Sequence, residues 1–244
     1  MKKQLIMAAL VLLSNTSFAN ESSHWGYGNS NGPTHWSEIN PDFSLCKNGK
    51  NQSPINISGF IKAPHESLKP HYKSKVDEIV NNGHTIQINM HAGSNIKIDN
   101  THFNLNQFHF HSPSENTING KSFPLEGHFV HTDKNNNLVV LAVMFENGDK
   151  NTALETLWKH MPINSGEHKN LTNNITVSNL MPKNMDYYRF NGSLTTPPCS
   201  EGVRWYVFKN PIKVSKQQVD QFHETIHHAN NRPVQSINAR LIIE

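Results

Sequence analysis

Gln107-Phe108-His109-Phe110-His111 and Glu126-Gly127-His128-Phe129-Val130-His131 are the two stretches that decide how this chain folds and what it can bind. Both alternate in the period of two expected of strands whose faces differ. On the first, Gln107, His109 and His111 share one face, while Phe108 and Phe110 turn into a core behind it. Histidines at i and i+2 on a strand stand ~6.6 Å apart at their Cα atoms, close enough for convergent rings to share a metal ion. Taken alone, a His-x-His is more often a pair of partly buried, hydrogen-bonded histidines. The second stretch strengthens the metal reading, because it can pair with the first as a hairpin through a long connection carrying Asn119-Gly120. Parity then puts Glu126, His128 and Val130 on one face and Gly127, Phe129 and His131 on the other. Only one of these two histidines can face His109 and His111. Glu126 favours His128, as a carboxylate able to orient its ring, and Gln107 can serve His109 in the same way. His131 is left as a buried, hydrogen-bonded core histidine. Three neutral histidines with an open fourth position make a catalytic zinc arrangement rather than a closed structural one. With no carboxylate cluster and no second cysteine pair, calcium, magnesium and iron–sulfur sites are disfavoured.

Outward from these strands, the middle of the chain reads as short extended segments with Asn, Gly and Pro between them. Strands are expected at 85–90, 95–98, 104–111, 127–132, 138–146 and 205–208, with turns at Asn119-Gly120, 133–137 and Asn147-Gly148. Helical patterns are few, at 153–159 and 216–228, the second opened by Ser215 as N-cap. No repeat or interdomain linker interrupts the pattern. Long helices between strands are missing, so a mainly β single domain on one large sheet is expected, with a few short surface helices.

The first residues read as an export signal: basic Lys2 and Lys3, an apolar run from Leu5 to Leu13, and small residues around a cleavage point after Ala19. That run is well short of the ~18–20 apolar residues that span a bilayer, so no membrane anchor is expected. The sequence thus divides into a signal peptide at 1–19 and a single catalytic domain at 20–244, delivered to the periplasm or secreted. The net charge of +3 includes Lys2 and Lys3, and no Lys/Arg cluster marks a nucleic-acid partner. Cys46 and Cys199 are the only cysteines, and in an oxidising compartment they read as one disulfide.

At these residues the chain resembles an alpha-class carbonic anhydrase over nearly all of the mature sequence. Asn51-Gln52-Ser53-Pro54-Ile55-Asn56-Ile57 is similar to a signature near the start of that domain, and Ser112-Pro113-Ser114-Glu115 follows the histidine pair as in bacterial members. Asn82-Gly83-His84 is similar to the family's proton-shuttle segment, and Gly192-Ser193-Leu194-Thr195-Thr196-Pro197-Pro198 to its active-site loop. The resemblance implies a central, mostly antiparallel, twisted sheet of about ten strands with zinc at the bottom of a conical cleft. It implies that zinc-bound hydroxide hydrates carbon dioxide reversibly to bicarbonate. His109, His111 and His128 resemble the ligands, Thr195 the threonine whose hydroxyl bonds the zinc-bound oxygen, Glu115 the acid that accepts from it, and His84 the proton shuttle. Val130, Val140, Leu194, Val203 and Trp205 resemble the apolar wall for carbon dioxide. Tyr27, Asn82, Gln87 and Thr196 fall where the family holds ordered water. Gln87 and Asn116 differ in side-chain type from better-known members, and Cys46 and Cys199 resemble the disulfide of secreted bacterial ones.

Two rivals use the same residues. A three-histidine zinc hydrolase would want a general base such as the Glu of His-Glu-x-x-His, which is absent. The other rival is a metal-free binding domain of the same fold or a periplasmic zinc-holding protein; relatives that lost catalysis would be expected to lack a ligand histidine, and all three are present. A small-molecule substrate is the partner implied, and assembly as a homodimer stays open.

Overall fold

The computed structural model describes residues 24–171 and 175–244, so the expected signal at 1–19 lies outside the described residues. Twelve strands follow in chain order. They are β1 (Asn56–Ile57), β2 (Val76–Asn81), β3 (Ile86–Met90), β4 (Asn95–Ile98), β5 (Thr101–His111) and β6 (Thr117–Ile118), then β7 (Leu125–Thr132), β8 (Leu138–Asn147), β9 (His168–Asn170), β10 (Tyr187–Ser193), β11 (Glu201–Phe208) and β12 (Ile212–Val214). β1 and β6 form a small parallel pair, and the other ten form one sheet ordered β10-β11-β8-β7-β5-β3-β2-β9, with β4 beside β5 and β12 beside β8. The ladders of β8 with β11 and β12 are parallel; the rest of this sheet is antiparallel.

The mainly β architecture on one ten-stranded sheet is therefore as expected. Alternation did not reveal β2, β9, β10 or β12. β9 is exposed along its whole length and offers no pattern to read, and β2 carries Asp77 and Glu78, residues that strands disfavour. The helices are Thr152–Trp158 and Lys216–Ile226, with two four-residue turns of helix earlier in the chain. Asn151 caps the first by accepting from the amides of Ala153 and Leu154. Ser215 caps the second in a reciprocal box with Gln218, and His227 ends it in the left-handed region.

Side chains divide between the two faces of the sheet. Phe108, Phe110, Phe129, Leu141 and Val143 belong to the larger core, which the two helices cover with Leu154, Leu157, Trp158, Phe222 and Ile226. Val140, Ala142, Met144, Val203, Trp205 and Val207 form a second cluster on the other face. A register shift between Leu105 and Gln107 inserts an extra residue against β7. It switches the parity of β5, so that Phe103 and Leu105 join the larger core while Gln107, His109 and His111 look the other way. Gly127 stands opposite Phe110, where a Cβ would meet that ring at 3.3 Å. The missing side chain leaves room for the Phe110 ring behind the histidines.

Cys46 and Cys199 are joined, their Cα atoms 5.0 Å apart across 153 residues of sequence, and both are buried. A loop of that length gives about 5 kcal/mol in the chain-entropy account, an upper figure that strain reduces. Replacing both by serine should lower stability by about 2–5 kcal/mol in chemical denaturation. Because both cysteines cluster with Trp36, apart from the histidine group, the pH profile of activity should keep its shape; an unchanged denaturation midpoint would refute the structural role.

Candidate metal centre and cleft

The β5–β7 ladder sets His109 directly opposite His128, with Gln107 opposite Val130 and His111 opposite Glu126. The three rings converge: His109 lies 5.1 Å from His111 and 5.4 Å from His128, and His111 lies 4.6 Å from His128, centroid to centroid. One nitrogen from each falls within 4.8 Å of the others. Among the described residues this is the one group of three or more His, Cys, Asp or Glu arranged to hold a metal ion.

A separate partner orients each ring. Gln107 Oε1 lies 2.8 Å from His109 Nδ1, as the shared strand face predicts. His111 Nδ1 donates to the backbone oxygen of Asn230 at 2.7 Å, a partner that sequence reading missed. His128 Nε2 lies 2.9 Å from Glu126 Oε1, near but not aligned as a hydrogen bond. Glu126 is itself held by the amides of Glu115 (2.7 Å) and Asn116 (2.9 Å) and by the Asn116 side chain (2.8 Å). His109 Nε2, His111 Nε2 and His128 Nδ1 are thereby left facing one another. Burial holds all three imidazoles below their usual range, and the neighbouring rings push His109 and His128 lower still. Neutral rings with free lone pairs are what a zinc ion requires. The buried His111 Nε2 has no hydrogen-bonding partner in the protein, so the residues present fit zinc.

Glu115 is buried beside this group, its Oε2 3.5 Å from His111 Nε2 and 3.9 Å from His128 Nδ1. Oε1 accepts from the amide of Arg232 at 2.9 Å, whereas Oε2 has no aligned partner. Burial raises the carboxyl well above its usual range, opposed by the Arg232 amide and by the hydroxyl of Thr195. Thr195 sits in a loop that the 51–57 signature anchors. Ser53 and Ser193 exchange hydrogen bonds of 2.9 and 3.1 Å, and Gln52 Nε2 donates to the backbone oxygen of Cys199 at 3.0 Å. Arg232, 1% exposed, ties the same region together by donating to Gln52, Ser53 and Cys46. Nothing in local spacing marks Arg232 or Asn230, whose partners lie more than a hundred residues away.

Tyr27, Asn82, Gln87, Gln107 and Thr196 line one cavity of about 130 Å³ together with Trp25, His84, Thr85, His109 and His111. Larger hollows elsewhere, such as one of about 460 Å³ among Glu66, Lys97 and Asp99, bring together no comparable ligand set. Asn82 Oδ1 accepts from the amides of His84 and Thr85, both at 2.9 Å, closing a turn whose middle residue, Gly83, has φ +83°. Such a turn, by itself, would leave His84 loose and wet. The ring instead is half-buried, stacked on Trp25 at 3.8 Å and 7° from parallel. Burial and the nearby rings of His24 and His228 lower its pKa. Val130, Val140, Leu194, Val203 and Trp205 meet in one apolar cluster, with Trp205 edge-on to His128 at 4.9 Å. Gly192 makes room for this wall, since a Cβ there would meet Trp205 at 2.9 Å.

The family model described as eukaryotic-type carbonic anhydrase matches residues 31–244. The chain belongs to this family. A carbonic anhydrase of Pectobacterium carotovorum is 47% identical over 243 residues, covering 100% of both chains. One of Neisseria gonorrhoeae is 43% identical, covering 98% of this chain and 96% of its own. The alpha-carbonic anhydrase of Thermovibrio ammonificans, solved with sulfanilamide, superposes with a TM-score of 0.89 at 49% identity, covering 91% of this chain and 99% of that one. Hydration of carbon dioxide is the activity of alpha carbonic anhydrases, and the family uses zinc. The ten-stranded sheet, the three-histidine group and the disulfide agree with that membership.

His131 serves as a control for the metal centre. It is fully buried on the opposite face of β7, with Nε2 2.9 Å from the Tyr72 hydroxyl. His128→Ala is expected to lose metal, whereas His131→Ala should keep it and lose stability; metal analysis that found the reverse would exchange their roles. Burial pushes His131 down to about 4, so between pH ~6.5 and 4 the unfolded chain takes up a proton that the folded chain refuses. Stability then falls with pH by on the order of 3 kcal/mol, fully present above pH ~6.5. His131→Gln should flatten that part of the denaturation profile relative to the parent.

Proposed function

We propose that this chain works as a zinc carbonic anhydrase with His109, His111 and His128 as ligands. The observation that carries the reading is the convergence of three neutral, separately oriented imidazole nitrogens beside Glu115 and an apolar wall. Bound there, zinc supplies Lewis-acid activation of water at neutral pH.

The protein's own residues do the rest. Gln107 holds the ring of His109 in one tautomer and the Glu126 carboxylate beside Nε2 favours the matching tautomer of His128, which keeps the inward nitrogens free as acceptors. With Glu115 ionised, the carboxylate only accepts, so Thr195 gives its proton to it and offers lone pairs toward the reacting oxygen. An oxygen that carries a hydrogen can bond there, with its free electron pair aimed at the substrate. Carbon dioxide is small and uncharged, so Val130, Val140, Leu194, Val203 and Trp205 suit it better than polar handles would.

Hydration releases a proton that must leave the cleft, and Thr195 is committed to Glu115. His84 is the carrier in this reading: it lines the same cavity as His109 and His111, and Tyr27, Asn82, Gln87 and Thr196 supply polar edges for water between them. Histidine titrates near neutrality, as such a carrier must. The lowered pKa of His84 favours release of the proton to buffer. The signal peptide at 1–19 would carry the protein to the periplasm or outside the cell, where the Cys46–Cys199 bridge is stable.

Purified protein should hold one zinc per chain and hydrate carbon dioxide, and a primary sulfonamide should inhibit it by taking the open metal position. Full activity in excess sulfonamide, or hydration without zinc, would overturn the reading. His84→Ala should lower the maximal rate in weak buffer by roughly 100-fold or less, the lower end of general acid–base contributions, with imidazole restoring it. An unchanged maximal rate at low buffer would remove His84 from the mechanism.

A further inference from the structure

The ladder between β3 and β5 stops short of His111. Its last registered pair is Gln87 with His109. Beyond it, the Thr85 hydroxyl bonds both the amide and the oxygen of Phe110. Further along, no backbone group of one strand reaches the other, and the side-chain amide of Asn230 fills the gap. Its Nδ2 donates to His84 O at 3.0 Å and to Phe110 O at 2.9 Å, and its Oδ1 accepts from Ser112 N at 2.8 Å. Its backbone oxygen meanwhile receives His111 Nδ1 at 2.7 Å. Asn230 is fully buried, and the amide of Ser112 and Nδ1 of His111 find in it the partner that water cannot supply there.

We propose that the Asn230 side chain is a positioning residue for proton transfer, a surrogate peptide group that ties the backbone of His84 to the strand carrying His109 and His111. Planar and rigid, it fixes two carbonyls and one amide in a single frame. His84 is held from one side by this bond and from the other by its stack on Trp25. The Asn82 turn sets only the local shape of its loop; Asn230 relates that loop to the metal centre. The catalytic consequence rests on the reading of His84 as proton carrier, while the positioning itself does not.

The test uses full-length exported protein with zinc, as Asn230→Asp and Asn230→Ser. Asp keeps the acceptor for Ser112 and disrupts the paired donation to the two carbonyls; Ser shortens the reach and remains informative if Asp fails to fold. The first readout is independent of activity: the His84 ring-proton signal in protein labelled at histidine Cε1, identified by its loss in His84→Ala. In the parent the Trp25 face should shift it upfield, and in either variant it should move toward the position of an exposed histidine while zinc stays at one per chain. The second readout separates steps by oxygen-isotope exchange. Release of labelled water, which needs proton transfer, should fall by roughly tenfold, below the ~100-fold that an ångström-scale misplacement can cause, and interconversion of carbon dioxide and bicarbonate by a smaller factor. An unmoved His84 signal, or zinc loss that accounts for the whole rate change, overturns the proposal. So does a moved signal with normal water release when His84→Ala is slow. If His84→Ala is itself not slow, the carrier reading fails, and a moved signal still upholds the positioning.

Discussion

The pairing of β5 with β7 is the constraint on which the three-histidine group rests. His109 and His128 are opposed in that ladder, and the side-chain period of two means that a slip of one residue would turn one of them to the far face. The register is locked from behind. Phe108 and Phe129 stack at 5.0 Å, Phe110 meets Trp158 edge to face at 5.0 Å, and Gly127 leaves room for Phe110. Close-packed interiors transmit such shape requirements directly, so the larger core holds the histidines in place from behind.

Orientation is a separate matter from position. Beside the rings of His109, His111 and His128 stand, respectively, an amide two residues away on the same strand, a backbone carbonyl from the C-terminal segment and a carboxylate two residues away on the same strand. Drawing on different parts of the chain, the three partners leave little freedom to rotate any one ring. Burial then keeps the rings neutral, which is why a group so costly to charge is well suited to coordination. The same low-dielectric setting makes Glu126 dependent on its three bonds from Glu115 and Asn116. Asn116 is thus an integral part of the support.

Arg232 does for the loop what the larger core does for the strands. Burial lowers its pKa to about 10, so it remains charged at neutral pH. It spends its donors on backbone and amide oxygens near the disulfide and the 51–57 segment. Its own amide holds Glu115. The disulfide, the signature segment and the acid that faces Thr195 are therefore one connected polar framework, with Trp36 beneath the guanidinium at 5.7 Å.

Much of this was legible in the chain itself. Alternation in 107–111 and 126–131 separated His128 from His131, because strand parity is a local property that survives without knowledge of the fold. The Ser215 cap, most of the central strands and the two cysteines were readable for the same reason, each resting on residues a few positions apart or on simple counting. Other features were decided only by tertiary structure. Asn230 meets His84 across 146 residues and His111 across 119; Arg232 reaches Cys46 across 186. The stack of His84 on Trp25, the parity switch between Leu105 and Gln107, and the fully exposed β9 leave no periodic trace. Sequence spacing encodes which face a residue takes within one element. Which distant backbone group will need its hydrogen bond is settled only when the sheet closes and water is gone.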